Sequence, residues 1–208
     1  EKILVYGDYD VDGTTAVSLM YLYLSKKKKK KYLDFYIPDR YSEGYGISDE
    51  GINFAKENGF SLIIALDCGI KALDKIEYAS SLGIDFIICD HHLPGEELPK
   101  AFAVLDPKRT DCRYPYKELS GCGVGFKLCQ GLNTIYKIPE NELYELTDLL
   151  AISIAADIVA MTGENRVLAK LGLKTLRKTR KLGIRLLIPE EKIATFDISH
   201  IVFEIAAK

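Results

Sequence analysis

The first half of the chain alternates short apolar segments with helical patterns, and this alternation restricts its fold more than any other feature. Residues 62–66 and 84–89 are almost continuously apolar, as expected for strands that are buried on both faces. Glycines at positions 59 and 83 end the intervening helical patterns. Strands that alternate with helices favour right-handed crossovers and a parallel sheet. We therefore predict an α/β fold, a parallel sheet with helices on both faces.

The predicted elements divide the chain into two unequal parts. The predicted strands are residues 3–6, 33–37, 62–66, 84–89 and 101–105. The predicted helices are residues 14–25, 49–58 with Ser48 as N-cap, 72–82, 124–136, 142–160, 166–178 and 198–207. We expect residues 1–118 to form the α/β core and residues 119–208 to form a mainly helical part that packs on it.

Composition favours a folded chain without membrane segments. The 208 residues are 48% hydrophobic and 28% charged, and no apolar run approaches the roughly 20 residues of a membrane helix. Five cysteines without a Cys-x-x-Cys pair argue against a zinc ribbon and favour reduced thiols. We expect a cytoplasmic protein with no membrane partner. The abrupt start in a strand and the apolar end suggest a piece of a longer protein.

Six consecutive lysines, residues 26–31, interrupt a chain whose net charge is -2. At the end of a predicted helix, such a run is typical of a solvated face that also complements the helix dipole. A patch that contacts phosphate groups is the alternative.

Acidic or imidazole side chains follow three of the predicted strands. They are Asp8, Asp10 and Asp12 after the first, Asp67 after the third, and Asp90, His91 and His92 after the fourth. The carboxyl ends of parallel strands face one crevice, so these side chains should converge. A further carboxylate, Asp157, lies in a very apolar predicted helix, where it needs a partner or a cation.

Gathered carboxylates require a cation, because two like charges about 4 Å apart repel by roughly 4 kcal/mol at an effective dielectric constant of 20. Oxygen ligands with an imidazole and without thiolates favour Mn²⁺ or Mg²⁺. A calcium loop starting at Asp8 would need Glu at its twelfth position, which is Leu19, and no Gly-Lys-Ser/Thr of a Walker loop follows. The ligand set therefore indicates two-metal activation of water for attack on a phosphoryl group.

Four motifs, in order along the chain, resemble those of the Asp-His-His (DHH) phosphoesterase superfamily, and within it the RecJ-type single-stranded-DNA-specific exonucleases. They are residues 6–15 (YGDYDVDGTT), 66–69 (LDCG), 90–92 (DHH) and 156–159 (ADIV). Further similar stretches are residues 37–40 with 44–46, 106–109, 119–128 and 162–166. The resemblance covers residues 1 to about 175.

The resemblance implies a role for each matching residue. Asp10 and Asp12 bind different metal ions, Asp67 bridges the two ions, and His91 and Asp157 complete the second ion's ligands. Asp8 is a ligand or lies beside one. His92 faces the phosphate, and Asp90 orients a histidine, so that Asp67, Asp90 and His92 form the catalytic group.

Six residues are candidate contacts for phosphate or nucleotide. Guanidinium groups suit phosphate, and the Ser120 and Gly121 backbone amides could reach it from a helix N-terminus, although a simple N-cap is equally compatible. The six are Arg40, Arg109, Ser120, Gly121, Asn165 and Arg166.

The resemblance implies a hydrolase that cleaves single-stranded DNA from the 5′ end, in DNA repair or recombination, with a single-strand-binding protein or a helicase as partner. It also implies a DHH-associated domain and an oligonucleotide-binding fold, neither of which is visible in this chain. The alternatives on the same site are a nanoRNase, a nucleotide phosphatase and a cyclic-dinucleotide phosphodiesterase. A non-catalytic scaffold that binds nucleic acid is the alternative from another class.

Overall fold

A five-stranded parallel sheet forms the centre of the structure, a computed structural model that describes residues 1–206. The strands are β1 (Ile3–Gly7), β2 (Leu33–Tyr36), β3 (Leu62–Leu66), β4 (Asp85–Cys89) and β5 (Ala103–Leu105). Their order in the sheet is β2-β1-β3-β4-β5, and every neighbouring pair is parallel. The predicted α/β architecture is confirmed.

Nine helices surround the sheet or pack behind it within the described residues. They are α1 (Val11–Ser25), α2 (Asp49–Glu57), α3 (Leu73–Ser81), α4 (Gly121–Tyr136), α5 (Asn141–Tyr144), α6 (Thr147–Ala156), α7 (Gly163–Leu176), α8 (Leu182–Leu187) and α9 (Ile198–His200). A π-helical turn, Ile201–Ile205, follows α9, and short 3₁₀ turns form at Lys30–Tyr32 and Glu190–Lys192. None of these helices has the length and apolar content needed to cross a bilayer.

Helices cover both faces of the sheet because successive strand residues point to opposite sides. Val5 packs in a core with α1 and α4, whereas Leu4 and Tyr6 pack on the other face with α2 and α3. All three side chains are fully buried. Burying a side chain of the size of leucine or valine contributes about 1.5–3 kcal/mol, which explains why the strands are apolar on both faces.

The helical part extends the core on one face of the sheet. Helices α4 and α6 pack against α1, and α7 packs against α6. Leu119, at the entry to this part, is buried in the same cluster as Val5 of β1 and Ile154 of α6. The C-terminal half therefore packs directly behind the helix that follows the first acidic motif.

Several predicted helices have different limits in the structure, among them α4 and α7, each of which begins three residues earlier than predicted. Helix α1 begins three residues earlier than predicted, because the Asp10 carboxylate accepts a hydrogen bond from the Gly13 amide and caps the helix. Asp12 therefore lies in a helical first turn. The predicted helix at 142–160 is two helices, and the second ends at Ala156, because Ile158 adopts a left-handed conformation with φ 56°.

The C-terminal region differs from the prediction in two further respects. Helix α8 was not predicted, since its six residues give too short a pattern. The helix predicted at 198–207 is a short α9 followed by the π-helical turn, and residue 207 lies outside the described residues.

Candidate metal centre

The carboxyl edge of the sheet and the end of α6 bring three of the predicted carboxylate ligands together at His91. The His91 Nε2 atom lies 3.1 Å from Asp67 Oδ1, 3.6 Å from Asp157 Oδ2 and 3.9 Å from Asp12 Oδ2. Two overlapping sets, Asp67 with both histidines and Asp12 with His91 and Asp157, each have ligand atoms within 4.8 Å of one another. A compact cluster of three carboxylates around one imidazole has the composition of a divalent cation site.

The tautomer of His91 favours a ligand role. Its Nδ1 atom lies 3.0 Å from the carbonyl oxygen of Leu119. A carbonyl oxygen only accepts hydrogen bonds, so Nδ1 carries a proton, and Nε2 is the ring nitrogen that points to the carboxylates and could bind a cation. In metal-binding histidines, the ring nitrogen that does not bind the metal typically donates a hydrogen bond of this kind, which orients the ring.

Asp67 occupies a constrained position directly after β3. Its φ angle is 61°, which is uncommon for a residue other than glycine. The backbone amide donates to the Cys89 carbonyl of β4, which fixes this turn. Gly121 approaches so closely that a Cβ atom built there would lie 2.4 Å from Asp67 Oδ1. The backbone therefore holds the Asp67 carboxylate in one place, as is common for strained residues at functional sites.

Asp12 is held by donors from the helical part. The amides of Gly121 and Cys122, at the start of α4, donate to its two carboxylate oxygens over 2.7 and 2.9 Å. The Ser153 hydroxyl of α6 donates to the same carboxylate over 2.7 Å. A helix N-terminus favours negative charge, so the start of α4 is a suitable position for a carboxylate.

Asp8 and Asp10 lie outside the two sets of close ligand atoms. Asp8 is fully buried and accepts a long hydrogen bond, 3.4 Å, from the Gly46 amide. Asp10 is exposed and caps α1 through Gly13. Both residues directly follow β1, and their ligand roles stay predictions.

The centre contains more buried negative charge than its protein partners neutralise. Burial, and then the charges of Asp12 and Asp10, raise the pKa of Asp67 to about 11. Burial and Asp12 raise the pKa of Asp157 to about 7, and burial raises that of Asp8. One buried atom of each of these carboxylates, and His91 Nε2, has no hydrogen-bond partner among the described residues. These oxygen and nitrogen atoms fit a divalent cation, which would neutralise the charges and satisfy the unpaired atoms.

A second chain of hydrogen bonds positions His92 beside this centre. His92 Nδ1 lies 2.7 Å from Asp90 Oδ1, and the Tyr45 hydroxyl lies 3.1 Å from Nε2. Burial alone would raise the pKa of Asp90, but hydrogen bonds from His92 and from the Ile70 amide lower it. The paired Asp90 in turn raises the pKa of His92. Half-exposed His92 therefore faces solvent with its ring orientation fixed from both sides.

The predicted phosphate contacts fall into two groups. Arg40 and Arg166 are exposed. The Arg40 guanidinium lies 4.8 Å from the centre of the Tyr9 ring, and the Tyr9 ring in turn contacts the Tyr45 ring edge to face. Arg109 instead pairs with Asp111 and donates to the Val104 carbonyl. Asn165 is fully buried. Its amide group donates to the carbonyls of Glu118 and Ala160, so this placement does not favour a phosphate contact.

Ser120 and Gly121 resolve the choice between capping and anion binding. The Ser120 hydroxyl accepts from the Gly123 amide and is the N-cap of α4. The Gly121 amide is taken by Asp12 and is not free for a phosphate. Both residues therefore organise the carboxylates of the centre.

Sequence reasoning assigned no role to Tyr45 and Ser153. Tyr45 lies between two left-handed glycines, Gly44 and Gly46, and this Gly-Tyr-Gly turn was the only available signal. Ser153 gave none, since it is one small polar residue inside an apolar helix whose partner, Asp12, lies 141 positions away.

Comparison with known proteins covers most of the chain. The model of the DHH family, N-terminal domain, matches residues 2–154. The single-stranded-DNA-specific exonuclease RecJ of Bacillus subtilis is 49% identical over 188 residues, which are 90% of this chain and 23% of that protein. RecJ of Escherichia coli is 36% identical over 212 residues, 95% of this chain and 37% of that protein. The chain thus spans about a quarter to a third of the length of these curated relatives.

Solved structures extend the similarity to the helical part. A crystal structure of exonuclease RecJ bound to manganese matches with a TM-score of 0.86 and 32% identity, over 99% of this chain and 51% of that chain. RecJ from Thermus thermophilus in complex with Mn²⁺ matches with a TM-score of 0.80 and 28% identity, over 99% and 29%.

Proposed function

Because this chain belongs to the DHH family, we propose that it is the catalytic core of a divalent-cation-dependent phosphodiester hydrolase that removes nucleotides from single-stranded DNA. The observation that carries the proposal is the convergence of Asp12, Asp67 and Asp157 on His91 Nε2, with buried ligand atoms unpaired. The 5′ to 3′ direction and a role in DNA repair or recombination belong to the same proposal.

The proposed cofactor is a pair of Mn²⁺ or Mg²⁺ ions. When bound, they would supply charge neutralisation and polarise the phosphoryl group and the attacking water. Asp67, whose backbone is fixed, would contribute to both ions in this proposal, and His91 and Asp157 would contribute to one of them. The two matching RecJ structures bound to manganese support this choice of metal. Asp8 and Asp10 are proposed to complete the ligand set.

His92 is the proposed partner of the scissile phosphate. Asp90 fixes the ring orientation through Nδ1, so Nε2 can exchange the Tyr45 hydroxyl for a phosphate oxygen, whose charge increases during the reaction, without rotation of the ring. A pocket of about 320 Å³ beside it, lined by Tyr45, Lys71 and Lys75, offers room for a nucleotide. Arg40 and Arg166 are the proposed phosphate contacts at the exposed side.

The test is a substrate comparison with the full chain in Mn²⁺. We expect stepwise shortening of 3′-labelled single-stranded DNA, release of the label as a mononucleotide from 5′-labelled DNA, and loss of both in Asp67→Asn. A clear preference for short RNA, a mononucleotide or a cyclic dinucleotide would replace the exonuclease by the corresponding relative. No hydrolysis, with DNA still bound, would support a scaffold.

Anomalous scattering from a manganese-soaked crystal tests the metal assignment. Two peaks flanking Asp67 are expected, and one peak would overturn the two-ion arrangement. A cytoplasmic location and a single-strand-binding protein or helicase as partner are tested by fractionation and affinity purification of the tagged protein.

A further inference from the structure

A deep groove lies at the end of the molecule opposite the metal centre, and we call it the rear groove. Its volume is about 950 Å³. Its walls come from the end of α1, from α5 and the start of α6, and from the end of α7 with the segment that follows it. Helices α1 and α6 each connect it to the centre, so at 1.5 Å per residue it lies about 15–22 Å away.

The rear groove is basic in a chain that is acidic overall. Five basic and two acidic side chains line it, whereas the whole chain has a net charge of -2. Both acidic groups are paired, Asp148 with Lys181 and Glu145 with Lys26. The other three basic side chains, Lys174, Lys178 and Arg180, are exposed and make no ion pair within the described residues. The surplus charge is therefore available to an external anion.

The lysine run continues this basic surface beyond the groove. Lys26 and Lys27 pair with Glu145 and Glu142, but Lys29, Lys30 and Lys31 are exposed without an acidic partner among the residues described. One or two cations suffice to complement the end of α1, because the helix dipole acts within its last turn. Most of the run is therefore not explained by helix capping.

Exposed aromatic rings accompany the lysines. The Tyr32 ring is 39% exposed, and Lys31 Nζ lies 4.8 Å from its centre. Phe35 is 49% exposed, and Tyr144, on the groove wall, is 40% exposed. Cations that follow a backbone, together with rings on which bases stack, are the features by which proteins bind single-stranded nucleic acid.

We propose that the rear groove and the adjoining lysine run bind single-stranded nucleic acid as a second contact surface, separate from the metal centre. The identity of that nucleic acid as the DNA substrate rests on the proposed function. Exposed Lys and Arg side chains contact successive phosphates, and Tyr32, Phe35 and Tyr144 stack on bases. A strand long enough to reach both surfaces gains affinity that a short one does not, because the second contact becomes intramolecular.

The test compares a triple variant, Lys174→Gln, Lys178→Gln and Arg180→Gln, with a matched control, Lys56→Gln, Lys100→Gln and Lys137→Gln. Each removes three exposed positive charges from the full chain. Fluorescence anisotropy measures binding of labelled oligothymidylates of about 6 and about 24 nucleotides in EDTA, which stops metal-dependent hydrolysis. Circular dichroism checks that both variants are folded.

We expect the triple variant to bind the long oligonucleotide at least tenfold more weakly. The slope of the logarithm of the binding constant against the logarithm of the salt concentration should become shallower by about 2, since each lost phosphate contact on a single strand removes about 0.7. The control should match the parent. Equal affinity and slope in all three proteins would overturn the proposal. Binding of an acidic peptide in the groove without displacement of DNA would also overturn it, and would assign the groove to a protein partner.

The outcome is independent of catalysis. Binding in EDTA decides the role of the rear groove even if the parent chain hydrolyses nothing. If the proposed function holds, the triple variant degrades the short oligonucleotide in Mn²⁺ at the parent rate, because none of its changes touches the metal centre.

Discussion

The close approach between the two halves of the chain, Gly121 against Asp67, gives the sharpest prediction about the metal centre. In Gly121→Ala, the new Cβ would lie 2.4 Å from Asp67 Oδ1 and 2.5 Å from Asp67 Cβ, whereas ordinary contact begins at 3.4 Å. The two groups must therefore separate by about 1 Å. Asp67 cannot retreat without breaking the bond from its amide to the Cys89 carbonyl.

Either way of relieving this overlap moves a proposed ligand. A shift of Asp67 increases its 3.1 Å distance from His91 Nε2, and a shift of α4 breaks the 2.7 Å bond from the Gly121 amide to Asp12. We expect Mn²⁺ affinity to fall about 10- to 100-fold, as when support around a metal ligand is lost. Hydrolysis should fall about 100-fold, equivalent to about 2.7 kcal/mol, as expected for a 1 Å misplacement.

Gly131→Ala is the matched control in the same helix. A Cβ at Gly131 meets nothing within 4 Å, so this change should leave Mn²⁺ binding and hydrolysis unchanged. It should also raise stability by about 0.5–1 kcal/mol, because alanine favours helices over glycine. Calorimetric Mn²⁺ titration, thermal unfolding and the hydrolysis assay measure both variants. Parental Mn²⁺ affinity and rate in folded Gly121→Ala would refute the geometric argument.

Three further substitutions test the charges and hydrogen bonds around the centre. Asp67→Asn should abolish Mn²⁺-dependent cleavage. It should also raise the melting temperature in EDTA, because an amide in this buried position has no carboxylate charge to desolvate. A lower melting temperature would show that Asp67 stabilises the fold without a cation. Tyr45→Phe removes the hydroxyl bonded to His92 and should lower kcat about tenfold with Mn²⁺ affinity unchanged, while fully exposed Tyr41→Phe should have no effect. Burial raises the pKa of Asp106 from 3.8 to about 6, so the unfolded chain ionises first and stability falls as the pH rises from about 4 to about 6. Asp106→Asn should therefore stabilise by about 1–3 kcal/mol at pH 7.5, measured by denaturant unfolding, but little at pH 4, and an equal gain at both would contradict this cause.

The sequence predicted the sheet and its acidic edge because both depend on local patterns. Continuous apolar segments specify buried strands, and the residue after such a strand is bound to lie at the carboxyl edge. Asp67 and His91 were placed correctly at that edge by this reasoning alone. The pattern also predicted Ser48 as the N-cap of α2, which its bond with the Gly51 amide confirms.

The features that sequence reasoning missed depend on contacts between distant residues. Nothing local indicates that the Asp12 carboxylate is held by Ser153 and by the start of α4. Apolar periodicity likewise continues past Ala156, so it gave no sign that α6 stops there and leaves Asp157 at the helix end facing His91. Asn165 carries a polar group that suits phosphate, yet its burial among backbone carbonyls was visible only in three dimensions.

The bonds to Asp12 have a consequence for the order in which the chain becomes competent during synthesis. The sheet and three of the four converging side chains belong to the first 105 residues, but the donors to Asp12 are at positions 121, 122 and 153. A nascent chain of which only the sheet has been synthesised therefore lacks both the donors to the Asp12 carboxylate and Asp157. Cation affinity should appear only when the helical part has docked, so that metal uptake reports the completion of folding.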